Sequence, residues 1–225
     1  MAFSVSCCSV AAAFGFVNLR RYRRFSSDTY SERFDSSEVP LVSVCIPARN
    51  EESNIEACVR SVLANRGVNI EVLIYDDDST DGTPRILSDL TAEDGRVKRV
   101  DTETLPVDWN GKQWGCERMG QASKGEWLLF TDADVRLSPE CLKTTLIAAH
   151  ASKCDLISTV PRQIIGTWME DAIIPLIHFV LLSYLPMGQM RTTTLPAASA
   201  GCGQFLFVRK SMWIRSGGHA AFRQS

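Results

Sequence analysis

Two aspartates near the middle of the chain, Asp132 and Asp134, have the residue type and spacing that bind a hard cation. Carboxylates two positions apart at the end of an extended strand leave it on the same side. They can therefore converge on Mg²⁺ or Mn²⁺, with diphosphate oxygens and water filling the other positions. The same spacing also fits a surface turn whose aspartates cap the next helix, so the pair alone does not decide between the two.

Two further polar segments follow apolar runs that predict strands. Asp76-Asp77-Asp78 needs an open site or hydrogen-bond donors, because three adjacent carboxylates repel one another, and one of them can accept from a base N–H. In Ile46-Pro-Ala-Arg-Asn-Glu51, Arg49 can reach a phosphate or a base, and Glu51 can cap a helix. Taken singly, each segment is equally consistent with an ordinary capped loop.

The fourth polar segment, Asp108-Trp-Asn-Gly-Lys-Gln-Trp114, predicts a loop that enters a helix. Gly111 permits close backbone approach, Lys112 offers a compact positive charge, and a helix N-terminus favours an anion. The alternative is a turn packed by its two Trp side chains. A phosphate-binding role and a packing role both remain open for this loop.

Short β-rich runs alternate with helical runs along the chain. This alternation is typical of an α/β fold with a mostly parallel sheet, and such a fold would bring the four segments together. Helices are expected from about Glu52, near Pro84, over Gly111–Ser123 and from Ser138, with Pro139 at the first position of the last one. The predicted strands are Leu41–Ile46, Ile70–Tyr75, Val97–Val100, Glu126–Thr131, Asp155–Val160 and Gln204–Val208. All four polar segments would then line one edge of one sheet.

Composition agrees with one folded domain, since 45% of the 225 residues are hydrophobic and 22% are charged. The formal net charge of −2 gives no sign of the clustered excess of Lys and Arg that nucleic-acid binding requires. No nucleic-acid partner is therefore expected. The cysteines form no C-x-x-C pair, which argues against a zinc site.

Residues 1–38 differ from the rest of the chain and predict an N-terminal extension before a domain over 39–225. The first 19 residues are uncharged and apolar, and a basic cluster from Arg20 to Arg24 follows. A short membrane anchor with the following domain on the cytoplasmic side, an organellar transit peptide of the plastid type and a disordered extension all fit. A dense apolar stretch over Ile173–Leu185 is too short to span a bilayer and predicts an interfacial or core segment.

The order and spacing of the four segments resemble the family 2 glycosyltransferases of the GT-A fold. The series is Pro-Ala-Arg-Asn-Glu-Glu, Asp-Asp-Asp-Ser-Thr-Asp-Gly-Thr, Asn-Gly-Lys and Thr-Asp-Ala-Asp. The Trp-Asn-Gly-Lys-Gln-Trp loop, Gly201-Cys-Gly-Gln-Phe and Gly217-Gly-His are similar to the hopanoid- and carotenoid-associated branch. The resemblance implies a Rossmann-like nucleotide-binding half with a mostly parallel central sheet between helices.

The resemblance also implies a role for each matching residue. Pro47, Arg49 and Glu51 would line the nucleotide pocket, and Asp77 would contact the base. Lys112 would face the diphosphate, Asp132 the ribose or diphosphate, and Asp134 the metal, while Gln204 and His219 would lie on the acceptor side. The implied activity is hexosyl transfer, with inversion, from a nucleoside-diphosphate sugar such as a UDP-sugar, assisted by a divalent metal. A lipid or isoprenoid acceptor met at a membrane surface is expected.

The general base in this family is an acidic residue shortly after the Gly-Gly-His segment, and it is expected beyond Ser225. The chain is therefore expected to be an incomplete transferase, or else a product that binds donor without transferring sugar. The ordinary pKa of His219 suits a substitute base, whereas a histidine beside Gly217 and Gly218 is more often a loop residue. A sugar nucleotidyltransferase is less favoured, because Pro47-Ala-Arg-Asn50 stands where a Gly-rich phosphate loop would follow the first strand.

Overall fold

The computed structural model describes residues 12–20, 39–185, 188–190, 195 and 200–222. These parts divide into two compact units. The helical unit contains residues 12–20 and the described residues of 162–201, and the sheet unit contains residues 39–161 and 202–222. The domain boundary predicted at residue 38 falls outside the described ranges and stays a prediction.

A six-stranded sheet with the order β3-β2-β1-β4-β6-β5 forms the centre of the sheet unit. Its strands are β1 (Leu41–Ala48), β2 (Asn69–Asp76), β3 (Val97–Arg99), β4 (Trp127–Thr131), β5 (Leu156–Ser158) and β6 (Phe205–Arg209). Strands β1 to β4 are parallel to one another, and β6 runs antiparallel to both β4 and β5. This confirms the expected α/β class with a mostly parallel sheet.

Helices cover both faces of this sheet. The helices of the described residues are α1 (12–20), α2 (Ile55–Leu63), α3 (Thr83–Glu93), α4 (Gly111–Ala122), α5 (Cys141–Ser152), α6 (Trp168–Tyr184), α7 (Lys210–Arg215) and a 3₁₀ helix (Gly218–Phe222). Buried residues of α2, α3 and α5 share one core with Val42, Val44 and Ile46 of β1. Residues of α4 and α7 share the other with Cys45, as the alternation of side chains along a strand requires.

Two helices begin later than the sequence predicts. The helix expected from Glu52 begins at Ile55, after a turn. The helix expected from Ser138 begins at Cys141, because the Cys141 amide donates to the Ser138 carbonyl at 3.0 Å and closes a separate turn. The prediction of Pro139 as the first helical residue was therefore wrong, since that proline lies within the turn.

In the helical unit, α6 begins with a capping box in which Thr167 and Glu170 satisfy each other's backbone amides. Ser183 is the buried residue of this helix. Apolar side chains of α6 are exposed, by 54% at Ile173, 57% at Leu176 and 56% at Phe179. The core alternative for Ile173–Leu185 was therefore wrong. Within the described ranges, no helix combines the length and the apolarity that crossing a bilayer requires.

A buried asparagine joins α1 to the end of α6. The Asn18 side-chain nitrogen donates to the carbonyls of Leu182 and Leu185, at 2.7 Å each, and Asn18 is 1% exposed. Carbonyls in the last turn of a helix have no intrahelical partner, so Asn18 supplies the missing donors. On the rest of α1, Phe16 and Leu19 remain more than half exposed.

Candidate active site

The site is built at the carboxyl ends of β1, β2 and β4. The β1 ladder with β2 continues to Ala48 opposite Asp76, whereas its ladder with β4 ends at Cys45 opposite Phe130. Pro47 lies just beyond this point and has no N–H to donate. The chain also reverses its direction across the sheet here, since β2 and β3 lie on one side of β1 and β4 on the other. Open α/β sheets bind ligands at such a switch point.

The three consecutive aspartates have different environments. Asp76 is buried and accepts from Arg99 at 3.4 Å and from the Ser79 amide at 3.2 Å. Asp78 is exposed and has a positive φ of 52°. Asp77 is half-buried and forms an ion pair with Arg49, whose Nη1 donates to Oδ2 at 3.2 Å. Of the three, Asp77 is the carboxylate paired to another predicted site residue.

Asn50 fixes the loop after β1 against the loop after β2. Its φ of +54° places it in the left-handed region, which Asn tolerates better than most residues. Its amide donates to the Ser79 hydroxyl at 2.9 Å, and its side-chain oxygen accepts from the Thr80 amide at 2.8 Å. The sequence prediction missed this residue, although an Asn next to Arg49 in a loop was the available signal.

Glu51 lies at the turn that precedes α2 and is half-buried. Its amide donates to the Thr83 hydroxyl at 2.8 Å, and its carboxylate accepts from the Asn54 side chain at 3.1 Å. The Asn54 side-chain oxygen in turn accepts from Arg136 at 3.3 Å. Glu51 thus belongs to a network that ties the start of α2 to the loop after β4.

The N-terminus of α4 lies against both β2 and β4 at this edge. Asn110 caps the helix by accepting from the Lys112 amide at 2.9 Å. A Cβ at Gly111 would come within 2.4 Å of the Asp77 Oδ2, so only glycine fits there without displacing that carboxylate. The Lys112 Nζ lies 2.6 Å from the Asp132 Oδ1. One helix terminus therefore contacts the carboxylates that follow two different strands.

Tryptophans pack the loop that leads into α4. The Trp109 and Trp114 rings meet edge to face, with centroids 5.0 Å apart. The packing role considered for this loop is therefore present. It leaves Lys112 free to extend to Asp132, so the two roles weighed for the loop are compatible.

Asp132 and Asp134 lie on a turn rather than on an extended strand. β4 ends at Thr131, and the Val135 amide donates to the Asp132 carbonyl at 3.2 Å. The Asp132 side chain is 26% exposed, and Asp134 is exposed between two buried residues. Their expected convergence from an extended strand was therefore argued from the wrong backbone geometry, although both remain at the carboxyl edge.

A divalent cation fits the donor chemistry of this turn. Carboxylate oxygens are the ligands that Mg²⁺ and Mn²⁺ prefer. Within the ranges that the structure describes, no group of three or more His, Cys, Asp or Glu side chains could hold a metal. Asp132 and Asp134 would supply two carboxylates of this kind, and diphosphate oxygens and water would be the other ligands.

Gln204 reaches the same edge through the antiparallel strand. Because β6 runs opposite to β4, the start of β6 lies beside the end of β4, with Phe205 opposite Thr131. The Gln204 carbonyl accepts from the Thr131 hydroxyl at 2.8 Å. Gln204 therefore contacts the residue that directly precedes Asp132 at the edge of the sheet.

His219 is held on the α4 side of the sheet. Its Nδ1 accepts from the Trp213 Nε1 at 3.1 Å, and its ring meets the Phe130 ring edge to face at 4.4 Å. Burial lowers the pKa of His219 to about 4, so the ring is neutral at neutral pH. Since Nδ1 already accepts a hydrogen bond, this nitrogen is not available to take a proton from an acceptor.

A buried glutamate that the sequence did not single out holds this turn in place. Glu117 of α4 is 7% exposed and accepts from the amides of His219 and Ala220, at 2.8 and 3.3 Å. A Cβ at Gly218, whose φ is +61°, would lie 2.6 Å from the Glu117 Oε2. An isolated Glu within a helix carries no sequence signal for such a role.

Comparison with protein families gives a match to the model described as "Glycosyl transferase family 2" over residues 43–215. The 4,4'-diaponeurosporenoate glycosyltransferase of Staphylococcus haemolyticus is 29% identical over 130 residues, which are 58% of this chain and 34% of that protein. The undecaprenyl-phosphate 4-deoxy-4-formamido-L-arabinose transferase of Aeromonas hydrophila is 29% identical over 148 residues, covering 64% of this chain and 44% of that protein. The chain thus spans less than half of either relative.

Among solved structures, the mannosyltransferase PcManGT from Pyrobaculum calidifontis, in complex with GDP-Man and Mn²⁺, superposes with a TM-score of 0.68. The match covers 96% of this chain and 57% of that one, at 19% sequence identity. At this identity the likeness shows the fold, and it agrees with the mostly parallel sheet flanked by helices.

Proposed function

Because the chain belongs to glycosyl transferase family 2, we propose that it binds a nucleoside-diphosphate sugar and transfers the sugar to an acceptor hydroxyl with the aid of Mg²⁺ or Mn²⁺. One observation carries the proposal. Two ion pairs lie at the switch point of the sheet: Arg49 contacts Asp77 at 3.2 Å, and Lys112 contacts Asp132 at 2.6 Å. A UDP-sugar is the donor that we expect.

Different residues of the site bind different parts of the donor. Lys112 and Arg49 bind the diphosphate, since both are exposed cations and Lys112 lies at the N-terminus of α4. Asp77 accepts from a base N–H, and Pro47 and Glu51 form the wall of the pocket next to it. Asp132 and Asp134 would hold the metal ion, which when bound neutralises charge on the departing nucleoside diphosphate.

The acceptor approaches from the side of Gln204 and His219. Inversion at the anomeric carbon requires a carboxylate that takes the proton of the attacking hydroxyl, and the family resemblance implies a residue that follows the Gly217-Gly218-His219 segment. His219 itself is better suited to shape the acceptor side than to accept a proton, because Trp213 donates to its Nδ1.

Calorimetric titration of UDP and of GDP, each with Mn²⁺ and with EDTA, tests the donor site. We expect one of the two nucleotides to bind at least about tenfold more tightly with Mn²⁺, because metal and protein cations then share the charge of the diphosphate. If neither nucleotide binds better with the metal, the proposed function is wrong. The nucleotide that binds identifies the base of the donor.

We also propose that the acceptor is lipid-like and is met at a membrane surface. Several apolar side chains of α1 and α6 are more than half exposed, which is typical of a surface that contacts another apolar phase. Arg20 ends α1, and three more arginines follow by residue 24, which favours anionic headgroups. The two relatives named above are, by their names, transferases for a carotenoid acid and for undecaprenyl phosphate.

Flotation with vesicles of phosphatidylcholine alone and with added phosphatidylglycerol tests this location. The full chain should float with the anionic vesicles and be partly released by 0.5 M salt, roughly the range in which surface charges are screened. Protein that stays at the bottom of the gradient with both lipids, with its N-terminus intact, would contradict the membrane proposal and leave the donor site unaffected.

A further inference from the structure

The two ion pairs of the site join groups that the proposed function assigns to different ligands. Lys112, which faces the diphosphate, contacts Asp132, which faces the metal, at 2.6 Å. Arg49, which faces phosphate, contacts Asp77, which faces the base, at 3.2 Å. In each pair a side-chain cation of the protein contacts a carboxylate that the proposed function assigns to the metal or to the base.

The Lys112 pair concerns the metal directly. A cation bound by the Asp132 Oδ1 must take the place of the ammonium group 2.6 Å away, since the two positive charges compete for one oxygen. A diphosphate bound by Lys112 likewise competes with Asp132 for the charge of the ammonium group. The metal alone and the diphosphate alone each weaken the pair, whereas both together weaken it once.

We infer that the Lys112–Asp132 ion pair couples metal binding to diphosphate binding, so that each ligand favours the other beyond their direct attraction. Lys112 thereby weakens binding of the bare metal and strengthens binding of the metal–diphosphate complex. This inference rests on the proposed donor site and adds to it a regulatory role for Lys112. Such coupling is reciprocal, so it can be measured from either ligand.

The residues around Lys112 fix the position of the helix terminus that carries the ion pair with Asp132. Asn110 caps the helix at the Lys112 amide, and Gly111 fixes the helix terminus against Asp77. Half of the Lys112 side chain is exposed, at 52%, so it can turn from Asp132 to a ligand without leaving a buried group unpaired. The helix terminus stays fixed while the ammonium group changes partner.

The test measures the affinity of Mn²⁺ alone, by counting free Mn²⁺ with electron paramagnetic resonance, in the full chain and in Lys112→Met. We expect Mn²⁺ to bind roughly two- to fivefold more tightly to Lys112→Met, the range expected for losing a partly exposed ion pair. The same variant should bind nucleotide less tightly at saturating Mn²⁺. A single substitution would thus change the two affinities in opposite directions.

Lys143→Met is the matched control, because it removes a lysine from an exposed ion pair, with Glu140, that lies outside the proposed donor site. Its Mn²⁺ affinity should stay within about 1.5-fold of the unmodified chain, since a charge without contact to the metal ligand is largely screened. Lys112→Gln, which keeps a polar side chain on this exposed helix position, must repeat the result of Lys112→Met.

The outcomes separate the inference from the proposed function. Unchanged or weaker Mn²⁺ binding in Lys112→Met, or an equal gain in Lys143→Met, overturns the coupling role while the donor site stands. An unmodified chain whose nucleotide binding does not depend on Mn²⁺ removes the proposed function itself. Tighter Mn²⁺ binding in the two Lys112 variants alone supports the inference.

Discussion

Asp132→Asn should lower the affinity for the nucleoside diphosphate in the presence of Mn²⁺ by roughly 100-fold, since loss of a carboxylate ligand weakens a metal site more than loss of a supporting group does. Without metal, the same variant should bind the nucleotide no less tightly than the unmodified chain, because Lys112 has lost its ion-pair partner. Calorimetric titration with and without Mn²⁺ measures both effects.

Asp89→Asn is a suitable control for this change. Asp89 is an exposed aspartate of α3, and its replacement removes the same charge away from the carboxyl edge of β4. The Asp89→Asn protein should bind the nucleoside diphosphate in the presence of Mn²⁺ with an affinity within about twofold of the unmodified chain, as expected of a screened surface charge. An Asp132→Asn protein that binds as the Asp89→Asn protein does would remove Asp132 from the metal site.

The second large effect concerns stability. Gly125→Ala should lower the free energy of unfolding by about 3 kcal/mol, the upper part of the usual range for overpacking a core. A Cβ at Gly125 would lie 2.7 Å from the Ser43 amide nitrogen and 2.8 Å from the Leu41 carbonyl oxygen, which belong to β1. Backbone atoms of a central strand cannot turn away as a flexible side chain can.

Urea denaturation followed by circular dichroism measures this loss, with Gly95→Ala as the matched control. A Cβ at Gly95 meets nothing within 4 Å, and its φ is not positive. The control should change the free energy of unfolding by no more than about 0.5 kcal/mol. Equal midpoints for the two variants would show that β1 can yield at Gly125.

Much of the fold could be predicted from the chain because its strands are short apolar runs with polar ends. The helix expected over Gly111–Ser123 differs from α4 by one residue at its end. The start of α5 was misplaced because Ser138 and Pro139 favour a helix N-terminus and a turn alike. Local sequence does not decide between them, and the Cys141 hydrogen bond to Ser138 does.

Prediction of the candidate site was less complete, because its contacts join distant segments. Which of three adjacent aspartates would pair with Arg49 depends on Arg99 of β3, which occupies Asp76. The Lys112–Asp132 pair joins a helix to the following strand and has no sequence pattern. The roles of these residues in binding remain predictions, whereas their positions at one edge are structural findings.

Residues 162–201 leave the sheet unit after β5 and return just before β6, two strands that are hydrogen-bonded neighbours. Departure and return are held together, since the Cys202 amide donates to the Ser158 hydroxyl at 2.6 Å. An insertion between such close ends can change in length or sequence without altering the register of the sheet. Replacing residues 162–201 with the corresponding segment of a relative should therefore leave the strands, and the loops at their carboxyl ends, in place.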